Sequence, residues 1–272
     1  MISIRLKIKV TLTLLTSFIL SLSSYADEPD SLKVGYFVYP PHVFYSEETG
    51  EPHGPLIFFF TEYFAKNMGV NIVWQKMTNK RSELSLKQCK IDMFLLKGWS
   101  KERTALMLYP DHPFHHVIPS LLVKKDFPVD KIRGSEDLYD QVIGWTNGLP
   151  ASLLKPYWQH PRIKLVLTPQ TDFYSTNMKM FVLGRLTGVA SSNKESLFYM
   201  AKKMNLLEEI KIIPLPQEAR YVYHAFSKCS KNQLDNYNKV SQSVIEKEFN
   251  GQTIADYYYQ YLLTKIAELN TQ

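Results

Sequence analysis

The sequence predicts an α/β protein of two lobes, each a mainly parallel sheet flanked by helices, with two hinge strands joining the lobes. Three observations carry this prediction. Strand and helix patterns alternate along the chain, the alternation starts again near residue 120, and no linker rich in glycine, serine or proline separates the two sets. Strand-like segments instead lie at the two junctions, at Val117–Val123 and Tyr221–Phe226.

The first set of elements, in residues 27–119, is assigned to lobe 1. Leu32, Val34 and Tyr36 alternate with small or polar neighbours, as in a half-buried strand. The helices of this set have end signals, with Gly69 after the first and Ser100 as a cap before the last. The predicted strands are Ser31–Phe37, Val70–Trp74, Ile91–Leu96 and Val117–Val123, and the predicted helices are Leu56–Asn67, Arg81–Gln88 and Lys101–Met107.

The second set, in residues 120–222, is assigned to lobe 2, and residues 223–272 return to lobe 1 as C-terminal helices. Ser135 caps a short helix, and Gly184 closes a longer one. The predicted strands are Gln141–Trp145, Ile163–Leu167, Thr187–Ala190, Ile210–Ile213 and Tyr221–Phe226, and the predicted helices are Ala151–Gln159, Phe173–Leu183, Lys194–Met204, Asn232–Phe249 and Thr253–Leu269. In such an arrangement a ligand would bind between the lobes, beyond the carboxyl ends of the strands.

Composition excludes several other classes of protein. The chain has 272 residues and is 45% hydrophobic, which excludes a disordered or low-complexity chain. Two cysteines are too few for a four-cysteine metal site, and no apolar run reaches the ~20 residues of a membrane-spanning helix.

The N-terminal residues Met1–Ala26 have the order of a secretory signal peptide. Three basic residues, Arg5, Lys7 and Lys9, precede the apolar stretch Val10–Leu22, and the segment contains no acid. Ser24 and Ala26 are the small residues at positions −3 and −1 of a cleavage site. An uncleaved membrane anchor is the alternative. This segment carries three of the net +6 charges, so the rest has only +3, which argues against a nucleic-acid-binding surface.

Export would place the two cysteines, Cys89 and Cys229, in an oxidising space where thiols tend to pair. A bond between them would close a long loop of the chain. Two separate buried thiols, each acting as a small apolar residue, are the alternative.

Six short motifs occur in register with those of a known family. They are Leu32-Lys33-Val34-Gly35 with Tyr39-Pro40-Pro41, the Gly50 to Gly54 turn with the helix that ends at Gly69-Val70, Lys90-Ile91-Asp92-Met93, Ser100-Lys101-Glu102-Arg103, Tyr109-Pro110-Asp111-His112-Pro113-Phe114, and Leu183-Gly184-Arg185-Leu186. In these motifs the chain resembles bacterial extracellular solute-binding protein family 3, the periplasmic amino-acid-binding type that serves ABC transporters.

The resemblance implies the type II periplasmic-binding-protein fold and a monomer that binds a small molecule and meets an ABC permease or a sensor in the inner membrane. It implies no catalytic residue, cofactor, metal or nucleic acid. The family layout places Cys89 and Cys229 in lobe 1, away from the cleft, which slightly favours a bond between them.

The resemblance also implies ligand-binding residues. Arg103 falls at the family's arginine that binds the ligand carboxylate, for which a planar guanidinium is suited; a surface arginine paired with Glu102 or Asp111 is the alternative. Tyr39 falls where the family places an aromatic ring on the ligand, although a core tyrosine is equally compatible. Gly98 and Trp99 directly precede the Arg103 turn.

Departures from the family pattern narrow the expected ligand. The second-lobe acid that binds an α-ammonium is replaced by Ser192, and the carboxylate-binding loop contains Pro150, which has no N–H. Tyr36, Trp145 and Asn147 lie at strand ends that should face the cleft. We therefore expect an acidic or neutral ligand with a flat or apolar body rather than a standard α-amino acid.

Two other functions are compatible with the same fold. One is an enzyme similar to cyclohexadienyl dehydratase, for which Glu102 or Asp172 would be the nearest general acid. The other is a non-transport protein with a degenerate cleft. The run Asp111 to His116 contains zinc-type ligands but has no regular spacing, and a polar junction is the preferred interpretation.

Overall fold

The computed structural model describes residues 30–147, 160–169 and 174–268. The predicted signal peptide at 1–26 and the predicted helix Ala151–Gln159 lie outside these residues. Within the described part of the chain, no helix combines the length and apolar character needed to cross a bilayer.

One five-stranded sheet defines lobe 1. Its strands are β1 at Ser31–Tyr36, β4 at Asn71–Lys76, β5 at Met93–Gly98, β6 at His115–Val117 and β12 at Arg220–Phe226, in the order β4-β1-β5-β12-β6. Strand β1 lies between β4 and β5 and is parallel to both, so that Val34 pairs with Trp74 on one side and with Met93 on the other. Strand β12 is antiparallel to β5 and β6. A hairpin of β2 (Phe44–Tyr45) and β3 (Pro52–His53) precedes the first helix.

A second five-stranded sheet defines lobe 2. Its strands are β7 at Ser120–Lys124, β8 at Val142–Thr146, β9 at Lys164–Thr168, β10 at Gly188–Ser191 and β11 at Ile210–Pro214, in the order β11-β7-β10-β8-β9. Strand β8 is parallel to β9 and β10, and β7 is antiparallel to β10 and β11. The predicted two-lobe α/β class is confirmed, but the prediction of mainly parallel sheets is wrong, because each described sheet has two parallel and two antiparallel pairings. In each sheet the antiparallel pairings belong to the strand that enters from the other lobe, β12 or β7.

Helices cover both sheets. Helix α1 begins as Pro55–Phe60, continues through the π-helical segment Thr61–Ala65 and ends as Lys66–Met68, where Gly69 adopts the left-handed conformation. The others are α2 Asn79–Lys87, α3 Lys101–Thr104, α4 Ser175–Val182, α5 Lys194–Lys203, α6 Lys231–Lys247 and α7 Ile254–Glu268, with a 3₁₀ turn at Ser135–Leu138.

Aromatic rings fill the core between α1 and α7. Phe59 of α1 lies 5.1 Å from Tyr258 of α7 between ring centroids and 5.7 Å from Phe114, and all three are fully buried. Ring pairs at these separations add to the free energy gained by burial. This packing fixes α7, and with it Tyr258, against the loop that follows β1.

The predicted strand Val117–Val123 is wrong as a single element. Val117 is the last residue of β6 in lobe 1, whereas residues 120–123 belong to β7 of lobe 2. Pro119 has no N–H to donate to a ladder, so the strand is interrupted where the chain crosses between the sheets. The chain returns between Pro214 and Arg220, and β12 belongs wholly to lobe 1.

A disulfide bond joins Cys89 to Cys229, with their Cα atoms 5.9 Å apart. Cys89 follows α2 in the left-handed conformation (φ 56°), and Cys229 lies in the 3₁₀ turn Lys228–Ser230 after β12. Both belong to lobe 1, and neither lines the cavity described below. The open question from the sequence is thereby resolved in favour of the bond.

Candidate functional site

A cavity of about 680 Å³ lies at the carboxyl end of β5, beside the neighbouring strand β12 and the edge strand β6 that follows it in the sheet. Residues of lobe 1 form most of its described wall, and Ser192, just after β10, is the described contribution of lobe 2. The aromatic side chains in the wall are Phe37, Tyr39, Trp99, Tyr221 and Tyr223, and the charged ones are Glu83, Lys97, Glu102, Arg103 and Arg220. Three cations and two anions give the described wall a net charge of +1.

Arg103 lies in this wall and is held from two sides. The Ser100 hydroxyl caps α3 by accepting the Arg103 backbone N–H. The Arg103 side chain donates from Nε to Glu83 Oε1 (2.9 Å) and from Nη1 to the Gly98 carbonyl (3.0 Å), and 24% of it is exposed. The partner is therefore Glu83 of α2 rather than either of the acids considered from the sequence.

Lys97 of β5 secures the same carboxylate from the buried side. Its side chain is 1% exposed, and its Nζ lies within 3.0 Å of Glu83 Oε1, the Asn79 carbonyl, Asn79 Oδ1 and Ser82 Oγ. Burial lowers the pKa of Lys97 to about 8, although the Glu83 carboxylate acts against that shift. Burial raises the pKa of Glu83, but the charges and hydrogen bonds of Lys97 and Arg103 outweigh it and hold the pKa below its ordinary value.

Five of the eight predicted ligand-binding residues line the cavity together: Arg103, Gly98, Trp99, Tyr39 and Ser192. Trp99 is 57% exposed at the cavity rim, whereas Tyr39 is buried between the lobes. The Tyr39 hydroxyl lies 3.4 Å from Ser192 Oγ. These residues come from three separate stretches of the chain, and the meeting of the two lobes brings them together.

The other three predicted residues do not line the cavity. Tyr36 is buried in lobe 1, edge-on to Trp74 at 6.0 Å between centroids. Trp145 is buried in the core of lobe 2. Asn147 is exposed at the end of β8 and donates its backbone N–H to the Thr168 carbonyl. Strand alternation turns the two aromatic side chains into the lobes rather than out of the strand ends.

A polar contact, here called the clasp, joins the lobes beside the cavity. It consists of His42 from the loop after β1 and Asn193 and Ser196 from the start of α5. Asn193 Nδ2 lies 2.8 Å from His42 Nε2, and Ser196 Oγ donates to the Pro40 carbonyl at 2.6 Å. His42 Nδ1 lies 2.8 Å from the Tyr258 hydroxyl of α7. The two lobes are therefore in direct hydrogen-bonded contact.

The geometry of the clasp fixes the tautomer of His42. Asn193 caps α5 with its Oδ1, which accepts the backbone N–H groups of Glu195 and Ser196. Its Nδ2 must then be the donor to His42 Nε2, so the proton of the neutral imidazole is on Nδ1, facing Tyr258. Complete burial lowers the pKa of His42 to about 3, in agreement with a neutral ring.

Sequence reasoning missed Glu83, Lys97, His42 and Asn193. Lys97 had a signal, because a single cation ends the apolar run Met93 to Leu96. Glu83 resembles an acid on the solvated face of a helix, and nothing in the sequence near His42 indicates a partner 151 residues away.

The structure also bears on the possible metal ligands and on Glu102, one of the two general acids considered from the sequence. The described residues contain no group of three or more His, Cys, Asp or Glu side chains that could hold a metal ion. Glu102 lines the cavity with an exposed side chain. Asp172 and the loop containing Pro150 lie outside the described residues.

Comparisons with known proteins connect this geometry to a fold. No protein-family model matches the chain, and no curated protein matches its sequence. Solved structures do match. An ancestral arginine-binding protein bound to arginine is 22% identical, with 86% of this chain and 97% of that chain covered at a TM-score of 0.67.

Two further structures match over a similar extent. A histidine kinase sensor domain with similarity to periplasmic binding proteins is 18% identical, with 88% of this chain and 97% of that chain covered at a TM-score of 0.67. An ancestral amino-acid-binding protein, a precursor of cyclohexadienyl dehydratase, is 19% identical, with 87% of this chain and 95% of that chain covered at a TM-score of 0.66. The chain therefore has the two-lobed fold of the periplasmic binding proteins, as its motifs predicted.

Proposed function

We propose that this chain is an exported solute-binding protein that closes its lobes on a small carboxylate and presents it to a membrane transporter or sensor. The observation that carries the proposal is the cavity at the meeting of the two lobes, with Arg103 in its wall. A ligand that contacts both lobes stabilises the closed arrangement over an open one, and this difference is what a transporter or sensor can detect.

The cavity wall supports a carboxylate with a flat or apolar body. Arg103 supplies the cation, and the described wall keeps a net charge of +1 after Glu83 and Glu102 are counted. Tyr39 and Trp99 supply aromatic surface, and Gly98 and Ser192 supply small polar groups. On the lobe 2 side, the described wall residue Ser192 offers an ammonium no charge.

The similar structures support the same class of function. The arginine-binding protein is named for its bound amino acid, and the sensor domain belongs to a histidine kinase. In the first structure the fold binds an amino acid, and in the second it forms a sensor domain. We extend this to the present chain as an exported protein with a membrane partner.

A ligand screen tests the proposal. The oxidised mature chain would be heated with small carboxylates, amines and neutral solutes, and saturable stabilisation by one or more carboxylates is expected. Calorimetry would then confirm one site per chain. If no carboxylate stabilises the protein while its fold is intact, the proposal is wrong and the degenerate-cleft alternative is favoured.

The dehydratase alternative is decided in the same experiment. Prephenate and arogenate would be included, and their solutions assayed for an aromatic product. Binding without product supports a solute-binding protein. Product formation that Glu102→Gln abolishes would assign an enzyme instead.

A further inference from the structure

Glu83 brings a carboxylate into the cavity wall beside the guanidinium of Arg103. Its Oε1 lies 2.9 Å from Arg103 Nε and 3.0 Å from Lys97 Nζ. The hydrogen bond from Arg103 and the contact with Lys97 are both made to Oε1, no described residue donates a hydrogen bond to Oε2, and 33% of the side chain is exposed. Because an ionised carboxylate accepts on both oxygens, Glu83 of the cavity wall keeps one strong acceptor without a partner among the described residues.

Lys97 anchors this carboxylate but has no proton to offer a solute. An ammonium has three protons, and four acceptors already surround Lys97 Nζ within 3.0 Å. Arg103 differs, since Nε and Nη1 have partners while Nη2 has none among the described residues. A solute therefore meets a donor on Arg103 next to an acceptor on Glu83.

The charges decide what kind of solute fits this pair. Lys97, Arg103 and Glu83 together carry +1, which the single negative charge of a carboxylate neutralises. A zwitterion would leave that charge uncompensated, whereas a neutral donor beside the carboxylate would use the open Glu83 oxygen without adding charge. A carboxylic acid without such a donor would place its own carboxylate against that of Glu83.

We propose that Glu83 is a specificity-determining residue that accepts a hydrogen bond from a hydroxyl on the carbon next to the solute's carboxylate, so that the cavity selects a 2-hydroxy acid with a flat or apolar body. This inference rests on the proposed function, in which Arg103 binds the carboxylate. The acid that reads the group beside the carboxylate then comes from lobe 1, whereas the sequence motifs placed that role near Ser192 in lobe 2.

Three acids with one skeleton test this assignment by calorimetry: 3-phenylpropionate, phenyllactate and phenylalanine. For the unmodified protein we expect phenyllactate to bind about tenfold more tightly than 3-phenylpropionate, the effect of one hydrogen bond to a charged acceptor. Phenylalanine should bind more weakly than phenyllactate. In Glu83→Leu the ratio of phenyllactate to 3-phenylpropionate should fall to near one. Glu62→Leu, which removes a carboxylate of similar exposure (34%) that does not line the cavity, should leave it at about tenfold.

Several results would overturn the inference. An unchanged ratio in Glu83→Leu would show that Glu83 does not read the hydroxyl. A preference for phenylalanine that Glu83→Leu removes would show that it binds an ammonium instead. Failure of all three acids, while another carboxylate binds in the ligand screen, would reject this solute class but keep the proposed function. Failure of every carboxylate would reject both.

Folding of the variant is a separate matter, because Glu83→Leu leaves the buried Lys97 without its carboxylate. The double variant Lys97→Met/Glu83→Leu removes both members of the pair, a replacement that proteins often tolerate. It should also bind phenyllactate and 3-phenylpropionate equally. A persistent preference for phenyllactate in this folded double variant would contradict the assignment.

Discussion

Two polar networks border the cleft, and they differ in charge. The network around Glu83 contains three ions, Glu83, Lys97 and Arg103, and all of them belong to lobe 1. The clasp joins the lobes, and its members His42, Asn193 and Ser196 are uncharged at neutral pH. Burying an ion costs several kcal/mol unless it is fully paired. If the ions are already paired within one lobe and only neutral groups form contacts between the lobes, closure of the lobes does not have to bury an unpaired ion.

Reduction of the disulfide should have the largest effect on stability. It tests whether the network around Glu83 in lobe 1 keeps its solute-binding geometry without the covalent bond. The bond Cys89–Cys229 spans 140 residues, and removing it should cost about 2–5 kcal/mol and lower the melting temperature by about 10 °C. Solute affinity should change less than threefold, because neither cysteine lines the cavity. Thermal unfolding and calorimetry with and without reductant would measure both.

The matched control is Cys89→Ser/Cys229→Ser, which should melt at the temperature of the reduced protein and ignore the reductant. A tenfold loss of affinity on reduction at a temperature where the chain is folded would contradict the separation of the disulfide from the site.

Removal of the Arg103 side chain should have the largest effect on binding. Arg103→Ala leaves the solute's carboxylate facing Glu83 without its guanidinium, and a loss of about a hundredfold or more in affinity is expected. Arg220→Ala removes another cation that lines the cavity and should cost less than about threefold, as for a solvent-screened charge. Calorimetry with one carboxylate solute compares the two variants.

Equal losses in Arg103→Ala and Arg220→Ala would indicate that the cavity attracts anions only by its overall field. That result would remove the special role of Arg103 as the cation that binds the carboxylate.

Acidification should open the clasp. His42 has a pKa of about 3 when buried between the lobes and should regain about 6.5 when the lobes part and water reaches it. Because the closed form favours the neutral ring, the closed form loses about 1.4 kcal/mol per pH unit as the pH falls from about 6.5 towards 3. At pH 5 solute affinity should be roughly thirtyfold lower than at pH 7.5, and small-angle scattering should show a larger radius of gyration.

The groups that face His42 define the control. Tyr39, His115 and Tyr258 surround its ring and are neutral in this pH range; burial lowers the pKa of His115 and raises those of the two tyrosines. Burial raises the pKa of Glu195 nearby, which favours the closed form in acid and so opposes His42. His42→Gln should abolish the acid-induced opening. If His42→Gln opens as readily as the unmodified protein, another group is responsible.

The sequence predicts local structure well because its strand alternation and helix caps are local signals. Ser100 caps the start of its helix and Gly69 ends its helix, as predicted, and the motifs placed Arg103 and Ser192 at one cavity. Pro119 itself was a signal that the predicted strand Val117–Val123 is interrupted. The signal was missed because the apolar residues on both sides suggested one continuous strand.

The parts of the site that could not be predicted depend on contacts between distant segments. Glu83 is 20 residues from Arg103, and His42 is 151 residues from Asn193. An acid on a helix or a histidine after two prolines acquires its role only when the lobes are assembled. Tyr36 and Trp145 show the converse, since a strand-end position does not decide to which side a ring points.

A charge placed on the lobe 2 side should have the smallest effect and most directly tests the asymmetry between the lobes. Ser192 lines the cavity beside the Tyr39 hydroxyl. Ser192→Asp would supply from lobe 2 the anion that an ammonium needs, and the affinity ratio of phenylalanine to phenyllactate should rise by about tenfold. Ser192→Asn introduces a side chain of the same size as aspartate but without its charge, and it should leave that ratio within about twofold of the value for the unmodified protein. An equal shift in both variants would assign the effect to side-chain size. No shift in either variant would mean that the amino or hydroxyl group of the solute does not approach lobe 2, so that lobe 1 binds both this group and the carboxylate.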